Sequence, residues 1–211
     1  MTDPAVRPYL VGLTGSIGMG KTETGRMFAR LGIPVLDADE VVRALYEVDG
    51  GAVDPVSGAF PGVVRDRRID RVALAQILAA DPSAFERLEA IVHPLVRQAR
   101  DKFIRGATDR GDEIVMLDIP LLFETGLEKT VDATIVVSAP AETQEQRVLA
   151  RPGMTREKLR MLLTRQMPDA EKRAKADFVI ETGNGLAQAF SEVRRVAAEL
   201  VQRARKRQAN A

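Results

Sequence analysis

The 211-residue sequence has no cysteine, no tryptophan and a single histidine, His93. Without cysteine there is no disulfide framework, and the redox compartment is left open. With one histidine and no thiol, the Cys/His ligand sets of structural zinc sites are excluded. Charge of one sign is also missing. The 31 basic and 30 acidic residues leave a formal charge of +1, so electrostatics does not call for a nucleic-acid partner. No apolar run approaches the length of about 20 residues that a transmembrane helix needs. The first eight residues carry no apolar signal core, which makes the cytoplasm the expected location. Internal repeats and low-complexity segments are absent as well. What remains is a chain with 45% hydrophobic residues, enough for one α/β domain with its own core plus an insertion.

The strongest signal is Gly15-Ser16-Ile17-Gly18-Met19-Gly20-Lys21-Thr22. It matches G-x-x-x-x-G-K-[ST], the phosphate-binding loop, at every fixed position. Glycines at 15, 18 and 20 permit a tight turn and a close approach of backbone to ligand. The loop's N–H groups then form a nest for a polyphosphate. Lys21 is placed to reach the β- and γ-phosphates of ATP, and the Thr22 hydroxyl to help hold Mg²⁺. Context supports the motif. Residues 9–14 are a short, mostly apolar run suited to a buried parallel strand. Residues 22–31 then put Met27, Phe28 and Leu31 on one helical face before Gly32 ends the helix.

Further along, residues 33–36 predict a short strand followed by Asp37 and Asp39, and residues 40–46 a helix. Residues 49–68, rich in glycine and proline, predict a loop or a set of turns. Helical periodicity then runs from 70 to 106, with Val72, Leu74, Ile77 and Leu78 as one apolar stripe. Asp81-Pro82 reads as the start of a second helix carrying Phe85, Leu88, Ile91 and Val92. His93-Pro94 reads as its interruption, with a third helix over 95–104. No strand is expected between 46 and 106. Residues 113–118 form a strand ending in Asp118, and 133–137 another. A helix begins at Pro140, carries Arg147 and Arg151, and is broken by Pro152-Gly153. Thr155 caps the next helix and Pro168 opens a short one. Residues 177–180 are the last strand, and Asn184 caps a long terminal helix whose basic end, residues 203–207, reads as frayed. Five strands alternating with helices predict a parallel sheet covered on both faces, with right-handed crossovers.

A phosphate loop alone specifies only a bound nucleoside triphosphate. The D-x-x-G and N/T-K-x-D motifs of a switch GTPase are absent, and Asp118 is followed by Ile119 rather than the Asp-Glu of a motor ATPase. A small-molecule kinase needs an acceptor-binding region, a carboxylate near the acceptor hydroxyl and arginines in a lid. Residues 70–106, the pair Asp37 and Asp39, and the pair Arg147 and Arg151 are candidates for these parts. Of the two aspartates, either can orient the hydroxyl while the other caps the following helix. The two arginines, four residues apart, share a helix face and repel unless an anion lies between them. Asp118, at a strand end, is a candidate partner for Mg²⁺.

The same residues carry a resemblance. G-L-T-G-S-I-G-M-G-K-T, I-P-V-L-D-A-D, I-V-H-P-L-V-R, D-I-P-L-L-F-E and A-D-F-V-I occur in that order, and together the chain resembles the dephospho-coenzyme A kinase family from about residue 9 to about residue 196. The resemblance implies ATP-dependent phosphorylation of the ribose 3′-hydroxyl of dephospho-coenzyme A. It implies a phosphate-loop kinase fold with a nucleotide-binding core (1–46, 107–138 and 167–211), a helical acceptor domain (47–106) and a lid (139–166). Asp39 is then the catalytic carboxylate, with Lys21 and Arg147 beside it. The nucleotide is held by residues 15–22 with Glu23, Arg151 and Thr182. The acceptor is contacted by Asp39, His93, Arg97 and Glu124, and Mg²⁺ by Thr22 and Asp118. Ser16 stands where the family often has glycine, and Thr182 where it tends to have asparagine, near the expected adenine site. The partner is a small molecule, with no nucleic acid and no membrane, and a monomer is the default. The alternatives are another nucleoside or nucleotide kinase, or a non-catalytic nucleotide-binding regulator. ADP release only on addition of an acceptor separates the last from an enzyme.

Overall fold

The computed structural model describes residues 7–210. The first six residues and Ala211, which belong to the expected core and to the reading of the N-terminus, lie outside the described residues. In chain order the elements are β1 (Tyr9–Thr14), α1 (Lys21–Arg30), β2 (Val35–Asp37), α2 (Ala38–Tyr46), α3 (Val53–Ala59), β3 (Val64–Arg65), β4 (Arg68–Ile69), α4 (Arg71–Ala80), α5 (Ala84–Arg110), β5 (Ile114–Asp118), β6 (Ala133–Ser138), α6 (Ala141–Leu149), α7 (Arg156–Leu163), α8 (Asp169–Lys175), β7 (Phe178–Glu181) and α9 (Leu186–Ala209). They fall into two compact units. One is built from the described residues up to Leu36 and from Gly106 on, the other from Asp37–Arg105. The second unit thus begins ahead of the expected boundary at 46/47 and takes Asp39 with it.

The first unit is a five-stranded parallel sheet in the order β2-β5-β1-β6-β7 with helices around it. β1 lies between β5 and β6, with Leu10 opposite Val115 and Leu13 opposite Ile135. Strands buried on both faces read as continuous apolar runs, and β1, β5 and β6 are buried at every position. Gly12 interrupts the apolar run of β1 because Leu122 packs against it, and a Cβ there would stand 2.9 Å from Leu122 Cδ2. On one sheet face Met27 and Phe28 of α1 pack with Val193, Val196 and Leu200 of α9 against Leu13, Ile135 and Ile180.

The second unit has its own core, in which Val53 and Val56 of α3 pack with Phe60, Val63, Ile69, Leu74 and Ala84. Asp70 caps α4, its carboxylate accepting from the N–H groups of Val72 and Ala73 at 3.0 and 3.1 Å. Those bonds, Ala73 foremost, hold its pKa below the ordinary carboxylate value.

Several local expectations are corrected. Residues 49–68 are not only turns, for they contain α3 and the antiparallel β3–β4 hairpin, with Val64 opposite Ile69. Those strands are two residues long and too short to show a period of two. Residues 84–110 are one helix, with Pro94 inside it. A proline removes one i→i−4 bond, but 27 residues of helix with apolar positions on both flanks carry through it. Val72 and Phe85, read as members of apolar helical stripes, are 69% and 50% exposed, and Leu31 faces solvent at the C-cap of α1. Asp81 serves the turn before α5 by accepting from the Ser83 N–H and hydroxyl. Gly185, with φ of 90°, stands at the N-cap of α9 where Asn184 was expected.

The basic end of α9 is not frayed, since the helix continues to Ala209. Arg203 stacks on Phe178, Arg205 pairs with Glu113, and Arg207 pairs with Asp132 while covering the Tyr9 ring. Burial raises the Asp132 carboxyl pKa, but Arg7, the Leu10 N–H and Arg207 more than reverse this and leave it below the usual value. These arginines are used within the fold. Among the described residues, no helix is long and apolar enough to cross a membrane.

Candidate functional site

The phosphate loop leaves the C-terminal end of β1, the strand flanked by β5 and β6, so it lies where the order of a doubly wound sheet reverses. Gly15 is required by proximity, because a Cβ there would lie 2.7 Å from the Val137 carbonyl oxygen. Gly18 and Gly20 have φ of 79° and 94°, a region that L side chains adopt at a cost. Gly20 is also the N-cap of α1 and supplies no side-chain cap. The first N–H groups of a helix have no intrahelical partner, so the start of α1 presents them, with the positive end of its dipole, to an anion.

Lys21, the first residue of α1, forms an ion pair with the Asp118 carboxylate at the end of β5. Asp118 is 2% exposed. Thr22 is exposed on the first turn, and Glu23 pairs with Arg26 and Arg30. Lys21, Thr22 and Asp118 therefore come from two adjoining strand ends, and the two oxygen-bearing side chains are the hard donors that Mg²⁺ takes.

Behind the loop, three outer side chains hold its carbonyls. Thr182 Oγ1 donates to Met19 O at 2.7 Å, Gln144 Nε2 to Ile17 O at 2.7 Å, and Arg147 to Gly18 O at 3.5 Å. Arg147 also donates to Thr182 Oγ1 and O, at 2.9 and 2.7 Å. Thr182 is thus buried and binds the loop to the end of β7, a role its place near the expected adenine did not suggest. Arg151 does not share a helix with Arg147, as was expected, because α6 ends at Leu149 and Arg151 lies in the turn beyond. Both arginines nevertheless line one cavity of about 360 Å³, together with Gly18, Gly20, Glu23 and Thr182. Five of the residues assigned to the nucleotide from sequence, with the catalytic candidate Arg147, therefore converge on one space. Ser16 is buried, its carbonyl accepting from the Met19 N–H.

Glu124 lies differently from its expected place on the acceptor. Its Oε1 accepts from the Met167 N–H at 2.8 Å and sits 2.9 Å from Nζ of Lys172, which is fully buried. Its Oε2 is buried and has no hydrogen-bond partner among the described residues. Burial raises the Glu124 pKa, but the ammonium and the N–H prevail and set it below the ordinary value. This carboxylate is committed to the segment that enters α8.

In the second unit Asp37 caps α2, accepting from the N–H groups of Asp39 and Glu40 at 2.8 and 3.1 Å. Of the two aspartates Asp37 is therefore the capping residue, and the Asp39 side chain is exposed. Asp39 borders a cavity of about 500 Å³ lined by Val42, Tyr46, Leu74, Leu78 and Leu88, with Arg43 and Arg71 beside it. Arg71 lies over the Tyr46 ring at 5.7 Å. Burial raises the Tyr46 pKa. His93 and Arg97 are exposed on α5 and do not line this cavity.

Sequence reasoning missed Gln144, Gln166, Lys172, Arg43, Arg71 and Tyr46. None belongs to a motif readable from one sequence. The nearest signal was the position of Gln144 one turn before Arg147.

A family model described as dephospho-CoA kinase matches residues 9–188. A dephospho-CoA kinase of Mesorhizobium japonicum is 53% identical over 191 residues, covering 90% of this chain and 96% of its own. That of Agrobacterium fabrum is 51% identical over 191 residues, covering 90% and 97%. A Thermus thermophilus protein of solved structure is 36% identical, with a TM-score of 0.77 over 92% of this chain and 99% of its own.

Proposed function

The chain belongs to the dephospho-CoA kinase family and phosphorylates dephospho-coenzyme A to coenzyme A with ATP as co-substrate, and from that premise we propose which of its residues do the work. The observation that carries the assignment is the uncapped start of α1 behind Gly18 and Gly20, with Lys21 held on Asp118. The N–H groups of residues 18–22 take the β- and γ-phosphates. The Lys21 ammonium follows the charge that moves to the bridging oxygen as the γ-phosphoryl leaves. Thr22 and Asp118 hold Mg²⁺, which when bound neutralises phosphate charge. Arg151 faces the same phosphates, and Arg147 with Thr182 shapes the nucleotide cavity and sets the loop.

Asp39 accepts the proton of the attacking ribose 3′-hydroxyl and orients its oxygen. Phosphoryl transfer asks for little beyond positioning and charge stabilisation, so one free carboxylate suffices. Asp39 is the free one because Asp37 spends its side chain on the helix cap. The cavity beside Asp39 receives the nucleotide end of the acceptor, with Tyr46 and the leucines against the base and Arg43 and Arg71 toward the 5′-phosphates. His93 and Arg97 are assigned to the outer part of the acceptor, and Glu124 acts through the segment it anchors. Residues 139–166 serve as the lid, whose closure excludes water. The cytoplasm is its proposed location, with a monomer as the default state.

Coupled ADP release tests this reading, with ATP and a panel of dephospho-coenzyme A, adenosine, shikimate and nucleoside monophosphates. Dephospho-coenzyme A is expected to be turned over best, and Asp39→Asn to lower kcat by about 10²–10⁴ while ATP binding is kept. Near-normal turnover in Asp39→Asn would remove Asp39 from its role.

A further inference from the structure

The residue between the first two glycine turns, Ile17, is gripped by two side chains that the catalytic assignment leaves unused. Gln144 Nε2 donates to Ile17 O at 2.7 Å, and the Ile17 N–H donates to Gln166 Oε1 at 3.3 Å. Gln144 is 6% exposed and comes from α6. Gln166 lies just before Met167, the residue whose N–H is pinned by Glu124 beside buried Lys172.

In a trans peptide the C=O and the following N–H point in opposite directions. A carbonyl held from behind therefore aims the next N–H forward. Holding Ile17 O directs the Gly18 N–H away from Gln144. In the same way Thr182, holding Met19 O, directs the Gly20 N–H. Among the described residues neither of these two N–H groups has a hydrogen-bond partner. A glycine at position 18 has no side chain to restrain its peptide, so without the glutamine the plane between 17 and 18 is free to turn.

We propose that Gln144 and Gln166 are positioning residues for the phosphates of ATP, fixing the two peptide planes that flank Ile17, with Glu124 and Lys172 keeping Gln166 in register. The inference rests on the donor half of the reading above and is independent of the acceptor. A preformed loop binds polyphosphate without first losing the entropy of two peptide planes. The grip concerns the phosphate end of the nucleotide and not the base, and this separates positioning from simple packing.

The test is calorimetric titration of the full-length protein, without acceptor, using ATP and AMP on wild type, Gln144→Met and Gln166→Met. Methionine keeps the length of the side chain and removes the amide. ATP affinity is expected to fall about tenfold in Gln144→Met and about threefold in Gln166→Met, whose bond is longer. AMP, which has no β-phosphate, is expected to stay within about twofold of wild type. Equal weakening of ATP and AMP, or unchanged ATP affinity in both variants, overturns the proposal. Should buried Gln144→Met fail to fold, half-buried Gln166→Met decides alone by the same two ligands. Failure of the wild type to phosphorylate dephospho-coenzyme A would sink the assigned reaction and leave this test intact, because only nucleotides are titrated.

Discussion

The two units offer a ligand different kinds of polar group. Around the phosphate loop they are backbone N–H groups, aimed by buried partners such as Thr182 and Gln144. Around the Asp39 cavity they are side chains on helix surfaces. Asp39 is exposed, Arg43 pairs with Glu40, and Arg71 rests on Tyr46. Backbone donors read shape and charge and recur among enzymes that carry the phosphate loop. Side chains on helices can be exchanged one at a time. The first kind of site therefore leaves a motif in the sequence, and the second leaves only scattered residues.

This contrast can be broken at its strongest point. Lys21→Ala removes the one side-chain cation within the loop and takes the Lys21 ion pair from the buried Asp118 carboxylate. It is expected to lower kcat/KM by about 10³–10⁴, and to lower Tm as well because a buried carboxylate loses its cation. Unaltered thermal stability would show that the Lys21–Asp118 pair does not belong to the framework of the site. Next in size is Lys172→Met, which strands Glu124 beneath α8. A loss of about 3–5 kcal/mol is expected by urea unfolding, and the double variant Glu124→Gln/Lys172→Met should recover most of it. If the double variant is no more stable than the single one, the pair is not what holds that segment. The smallest effect sharpens the other side of the comparison. Arg71→Ala should raise the KM for dephospho-coenzyme A about tenfold, the worth of one charge-assisted contact, with the KM for ATP unchanged. A shift in the ATP constant instead would mean that the helical cavity does not serve the acceptor.

How much was legible follows from the range of the interactions. Strand, loop and helix around residues 9–31 were readable because each depends on its own residues and near neighbours. Glycines sit where φ is positive, and apolar runs mark buried strands. The capping role of Thr155 is equally local. Pro94 misled because the preference of the residue before proline is local, whereas the packing that carries α5 through it is not. Arg151 misled for the opposite reason, since Pro152-Gly153 closed the helix two residues sooner than the i, i+4 argument needed. The arginines of the last helix looked like a loose basic tail because their partners, Glu113, Asp132, Asp177 and Phe178, lie far away in the chain.

By itself the sequence determined the class of donor, the parallel sheet and the family, because these rest on a contiguous motif and on apolar periodicity that a single chain displays. Only the tertiary structure decided which aspartate is spent on a helix cap, that Glu124 is committed to Lys172, and that Gln144, Gln166 and Thr182 grip the loop from outside. The bonds to the loop, each across more than 100 residues, leave no spacing to read. They exist only once the strands that bring their ends together have formed, and they fix the orientation of peptide planes that the glycines alone leave free.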